Sequence, residues 1–108
     1  MKRKSIFLAG HRGMVGSAIL NHLQSNGYEN VITRTRGELD LINQAQVDSF
    51  FAKERPDAVI ICAAKVGGIL ANNTLRADFI YQNLQIASNL IHASYKYFVD
   101  KLINLGSS

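Results

Sequence analysis

Residues 4–23 read KSIFLAGHRGMVGSAILNHL, and this stretch decides the fold. SIFLA (5–9) is an apolar run of strand length that stops at a glycine. From Met14 onward the apolar positions 14, 15, 18, 19 and 23 follow helical spacing. Three glycines, Gly10, Gly13 and Gly16, sit three apart across the junction. A strand that turns into a helix through glycines gives each one a task. Gly10 permits the tight turn, Gly13 lets a diphosphate approach the backbone, and Gly16 lets the helix pack closely on the strand. Uncapped N–H groups and the positive end of the helix dipole then hold phosphate. The stretch predicts a dinucleotide-binding turn.

Outward from it, strands and helices alternate. Gly27 ends the first helix. VIT (31–33) reads as a short strand and ELDL (38–41) as a brief extended segment. Residues 43–54 read as a helix capped by Asn43, with Val47, Phe50 and Phe51 facing inward, and Pro56 breaks it. DAVIICAA (57–64) is a continuous apolar run, as in a central parallel strand covered on both faces. KVGGILANN (65–73) reads as a loop, 74–98 as a long helix and KLINL (101–105) as one more strand. This order predicts an α/β fold, a Rossmann-like doubly wound parallel sheet of about five strands in one domain, residues 1–108. Such a sheet normally has a second half, so the expectation is the first part of a longer protein, with the substrate-binding part elsewhere.

Composition narrows the class. The apolar content of 47% over 108 residues argues against disorder. No run approaches the roughly 18 apolar residues of a membrane span. MKRKSIFLAG is too short in its apolar part for a signal peptide, and the expected location is the cytoplasm. The one cysteine, Cys62, excludes an internal disulfide and a cysteine-based zinc site, and no metal is expected; within VIICAA it reads as a small buried hydrophobe. Net charge is +4, but no basic run is interleaved with aromatics, so no nucleic-acid partner is expected. His11 reads as a turn residue, His22 as surface and His92 as an ordinary helix residue.

The basic pair Arg34 and Arg36 selects the dinucleotide. An NAD site carries an acid at the end of the second strand, to bind the ribose hydroxyl. Here that place reads ITRTRGE (32–38), and Arg12 lies in the glycine turn nearby. Guanidinium groups suit a 2′-phosphate through bidentate charged hydrogen bonds, which points to NADP(H), while Arg34 reads equally well as a solvated surface charge. Of the nearby acids Glu38 and Asp40, Asp40 is the better placed for the adenine edge.

The GxxGxxG spacing is typical of short-chain dehydrogenases/reductases. AGHRGMVGSAI (9–19), RTRGELDL (34–41), AAKVGGILANN (63–73), ADFIYQN (77–83) and LGSS (105–108) are more specific. In this order and spacing the chain resembles the extended short-chain dehydrogenase/reductase family, in the branch that converts GDP-4-keto-6-deoxy-mannose to GDP-L-fucose. The resemblance implies an NADPH-dependent epimerase and reductase with a GDP-sugar substrate. It implies that Gly10, Arg12, Gly13, Met14, Val15 and Gly16 form the pyrophosphate loop. Arg12 and Arg36 would meet the 2′-phosphate, and Asp40 and Leu41 the adenine. Ala63, Ala64 and Lys65 would line the cofactor, Asn83 would support the site, and Ser107 would be the catalytic serine. The family's Tyr-x-x-x-Lys pair follows that serine, whereas here Tyr97 and Lys101 fit the spacing but precede it, and the match reads as chance. The 108 residues alone are therefore expected to be inactive.

Helix 74–98 has two apolar stripes, Phe79, Ile86, Leu90, Ala93 and Tyr97 on one and Ile80, Leu84, Ala87, Ile91, Tyr95 and Phe98 on the other. A surface helix needs one stripe, and the second suggests a homodimer, as the resemblance also implies. Two other readings stay open: a non-catalytic dinucleotide-sensing module, and an NAD-dependent nucleotide-sugar epimerase or dehydratase.

Overall fold

A computed structural model describes residues 4–11, 13–62 and 73–104, apart from the side chains of 73–80 and 83. Its elements in chain order are β1 (Ile6–Ala9), α1 (Met14–Ser25), β2 (Val31–Ile32), α2 (Gln44–Glu54), β3 (Ala58–Ile61), α3 (Asn73–Lys96) and β4 (Lys101–Asn104). The strands are parallel, in the order β2-β1-β3-β4, with Ile6 beside both Val31 and Ala58, and Ala58 beside Lys101. The chain leaves β1 for one neighbour and then crosses back to the other side. Right-handed crossovers therefore put α1 on one face of the sheet and α2 and α3 on the other.

Alternation along the strands sets the core. Phe7, Ala9, Val59 and Ile61 pack with Val47, Phe50 and Phe51 of α2 and Leu90 and Ala93 of α3. The Phe7 ring lies 4.5 Å from Phe50 and 6.0 Å from Phe51, centroid to centroid. Ile6 and Leu8, also buried, point the other way. Cys62 is buried just past β3, where its N–H donates to the Ala9 carbonyl at 2.9 Å.

The helix ends follow the sequence signals. Gly27 takes a φ of 84°, and the Tyr28 N–H returns to the Leu23 carbonyl. Asn43 caps α2, its Oδ1 accepting from the Gln46 N–H at 3.1 Å. Arg55 leaves that helix in a left-handed conformation just before Pro56.

The expected strand at 38–41 is absent, which leaves four strands among the described residues. Its acids bind backbone locally instead of leaving it for a ladder. Glu38 Oε1 accepts from the Thr35 N–H at 2.8 Å, and Asp40 Oδ1 from the Ile42 N–H at 3.1 Å. The segment folds into turns, with Leu39 buried. Thr33 falls outside β2 and Cys62 outside β3, while residues 63, 64 and 105 lie outside the described residues.

On α3, Ile86, Leu90 and Ala93 face the core, and Tyr97 just beyond packs there too. Ala87, expected on the outer stripe, also leans on the core. Leu84, Ile91, Tyr95 and Phe98 are exposed, the last two at 84%. Phe79 and Ile80 lie outside the described side chains. No helix among the described residues is long and apolar enough to cross a membrane.

Asp48 ties α2 to the end of α3. It accepts from Lys96 Nζ at 2.8 Å and from the Tyr97 hydroxyl at 3.0 Å. The Lys96 hydrogen bond and then that of Tyr97 hold the Asp48 carboxyl below its ordinary range, while Asp48 raises the Lys96 ammonium. A carboxyl lowered by folding stabilises above its unfolded value of about 4 and loses that effect as pH falls through the folded value. A raised ammonium acts below its ordinary value and loses its effect as pH rises through the folded one. We therefore expect thermal unfolding to shift to lower temperature on acidification below about pH 4, with Asp48→Asn flattening part of that limb. Melting curves from pH 2 to 7 check this, and identical acid limbs would refute it.

Candidate functional site

A strand order that reverses at β1 opens a crevice outside the carboxyl ends of the strands. The chain enters it through Gly10, whose φ of 85° is a left-handed value that a side chain would strain. The Gly13 N–H donates to the Gly10 carbonyl at 3.2 Å, closing the turn. A Cβ on Gly16 would overlap the Gly10 carbonyl oxygen and come within 2.9 Å of His11 Cα. This contact lets α1 start directly against the strand. A Cβ on Gly13, by contrast, would meet only the Gly10 oxygen at 3.7 Å, an ordinary contact. The protein itself does not require a glycine there; the bare backbone keeps space open outside the turn. Gly13 is also the N-cap of α1 and offers no side chain to its first-turn N–H groups. Met14 and Val15 project into solvent.

A cavity of about 320 Å³ lies against this turn. Gly10, His11 and Gly13 form one wall; Arg34, Thr35 and Arg36, just past β2, form another. Leu39–Ile42 and, from α3, Ile86 complete it. His11 Nδ1 is buried and lacks a hydrogen-bond partner among the described residues. An orphaned polar atom beside an uncapped helix start fits a polar ligand better than an apolar one.

The two arginines have different fates. Arg34 Nη2 pairs with Glu54 at 3.4 Å, and Nη1 donates to the Thr33 carbonyl at 2.8 Å. The Arg34 guanidinium also lies 5.3 Å over the Phe50 ring. Its charge is matched by a half-buried partner within the fold, although Arg34 still lines the cavity. Arg36 is exposed and has no ion pair among the described residues. The Thr35 backbone N–H, then its side chain, hold Glu38 below the ordinary carboxylate range, with smaller attraction from Arg34 and His11. Asp40 and Leu41 do line the cavity, although Asp40 Oδ1 is engaged by the Ile42 N–H.

Arg12, Ala63, Ala64, Lys65 and Ser107 lie outside the described residues, as does the Asn83 side chain. Tyr97 and Lys101 are not brought to the cavity. Lys101 opens β4 at the amino-terminal edge of the parallel sheet, and the Tyr97 hydroxyl serves Asp48. His22 and His92 are exposed on α1 and α3. No local sequence pattern marks Thr35, Leu39 or Ile42 as residues of the cavity, and Ile86 joins them there. Only the core-facing position of Ile86 on its stripe hinted at where it points.

One relative, GDP-L-fucose synthase 1 of Arabidopsis thaliana, is 58% identical over 107 residues, covering 99% of this chain and 33% of that protein. GDP-L-fucose synthase of Escherichia coli is 56% identical over 108 residues, covering 100% and 34%. The chain thus spans about a third of the length of these relatives. A solved GDP-mannoheptose C4 reductase from Campylobacter jejuni, with NADP bound, superposes with a TM-score of 0.82 at 39% identity, over 96% of this chain and 31% of that one. With a glycine turn at the reversal point of a parallel sheet, and with residues 6–108 matching the family, the chain belongs to the NAD dependent epimerase/dehydratase family.

Proposed function

We propose that the chain is the NADP(H)-binding portion of an enzyme that epimerises GDP-4-keto-6-deoxy-mannose and reduces it to GDP-L-fucose. One observation carries the cofactor reading: the uncapped start of α1 and Arg36, which has no ion pair among the described residues, face one cavity. The first offers backbone N–H groups to a diphosphate, the second a guanidinium to a 2′-phosphate. Gly10, Gly13, Met14, Val15 and Gly16 hold the diphosphate through their backbone, and Arg12 joins Arg36. Asp40 and Leu41 meet the adenine. Ala63, Ala64, Lys65 and Asn83 line the rest of the cofactor. Bound there, NADPH supplies hydride. Ser107 donates a hydrogen bond to the substrate ketone oxygen and stabilises the alkoxide that develops. The names of the relatives at 56–58% identity support the substrate, and the bound NADP of the C4 reductase supports the cofactor. The exposed outer stripe of α3 supports a homodimer.

Titration with NADPH and NADH in the same buffer tests the cofactor. Arg36→Ala should weaken NADPH binding about 10- to 100-fold and change NADH binding by less than about twofold. Equal affinity of the unaltered protein for both would overturn the 2′-phosphate assignment and favour an NAD-dependent epimerase or dehydratase.

The glycines separate ligand from fold. Gly13→Ala should cost no more than about 1 kcal/mol in urea unfolding, yet weaken NADPH binding at least tenfold. Gly16→Ala should lower stability and binding together, because it forces α1 off the Gly10 carbonyl.

Sedimentation velocity should show a dimer that Leu84→Lys with Ile91→Lys dissociates. A sharp monomer at high concentration would refute the dimer.

A further inference from the structure

The Leu39–Asn43 turn is held mostly by its own neighbours. The Leu39 N–H donates to the Thr35 carbonyl, the Asp40 N–H to Gln46 Oε1, and the Asn43 N–H to the Asp40 carbonyl. Each of these bonds spans at most six residues, so together they shape the turn without tying it to the far side of the cavity. A side chain of α3 does that from a distance. Asn89, on α3 and only 6% exposed, donates from Nδ2 to the Leu41 carbonyl at 2.9 Å and to the Ile42 carbonyl at 3.0 Å. Gln85 Nε2 in turn donates to Asn89 Oδ1 at 3.4 Å and orients the amide. Both acceptors belong to residues whose segment walls the cavity, and Ile86, one turn before Asn89, forms part of the same wall.

We infer that Asn89 is a positioning residue, which locks the Leu41–Ile42 turn against α3 and so presets the adenine end of the dinucleotide cavity. The inference rests on the dinucleotide reading above. Its physical basis is that a buried amide meets two consecutive carbonyls at once. Without it, the turn samples positions that do not match the ligand, and apparent affinity falls by the fraction of time spent there. Asn89 touches no ligand in this scheme. Its effect is confined to the adenosine end, away from the glycine turn.

The test compares the unaltered chain with Asn89→Leu and Asn89→Asp, which keep the approximate volume and remove both donors. Two readouts are needed: amide hydrogen exchange without ligand, and the affinity for 2′,5′-ADP, which carries the adenosine, the 2′-phosphate and the first 5′-phosphate but none of the nicotinamide half. We expect faster exchange at residues 39–43, unchanged protection in β1 and β3, and about tenfold weaker 2′,5′-ADP binding in both variants. Unchanged exchange at 39–43, or affinity within twofold, overturns the role. If the turn is freed while the unaltered chain binds neither 2′,5′-ADP nor NADPH, the dinucleotide reading is overturned and the tie is structural only. Should neither variant fold, the Asn89 side-chain amide protons of the unaltered chain are read by NMR. Slow exchange together with a shift on adding 2′,5′-ADP supports the role, and exchange at the solvent rate overturns it.

Discussion

Everything in this fold is referred to the burial of β1. Ile6, Phe7, Leu8 and Ala9 are all buried, and the strand is paired on both edges. Phe7 sits against Phe50 and Phe51, a cluster in which each fully buried ring contributes about 1.5–3 kcal/mol. Because β1 lies where the strand order reverses, the segment leaving it must pass the mouth of the crevice. The left-handed Gly10 and the close approach at Gly16 are consequences of that position. A chain leaving a fully buried strand must turn at once, and the helix that follows must lie close on the sheet to cover Ile6 and Leu8.

The basic cluster shows how tertiary context sorts chemically identical groups. Arg34 and Arg36 are two residues apart and alike in sequence. Arg34 lies within reach of α2, where Glu54 and the Phe50 face match its charge. Arg36 lies on the turn beyond, in solvent, and keeps its donors available. The acids that follow serve the backbone, since Glu38 and Asp40 shape turns. A segment rich in charge thus presents a cationic edge to the cavity even though acids stand beside it.

The α3 helix joins core, cavity and surface. Leu90 and Ala93 complete the core, Ile86 walls the cavity, and Asn89 reaches the turn opposite. The outer stripe, with Tyr95 and Phe98, faces solvent. A partner bound to that outer face would therefore contact the same rigid helix that frames the cavity.

The order and type of the long elements, and the glycine turn, are legible in the residues alone. Those depend on local rules: apolar period, caps at Asn43 and Gly27, a break at Pro56, and glycines where backbone must turn or approach. The sequence also marked Asp40, Leu41 and Arg36 as site candidates, and all three line the cavity. The turns of ELDL come from equally local bonds of Glu38 and Asp40 that its apolar pattern hides, whereas tertiary packing set that Arg34 is taken by Glu54 and that Ala87 leans inward. That packing alone brought Ile86 and Asn89 to a turn more than forty residues away. The reason is physical. Period and capping act within one element, whereas the partner of a charge or of a buried amide is set by which elements the sheet brings side by side, and no local pattern encodes that choice.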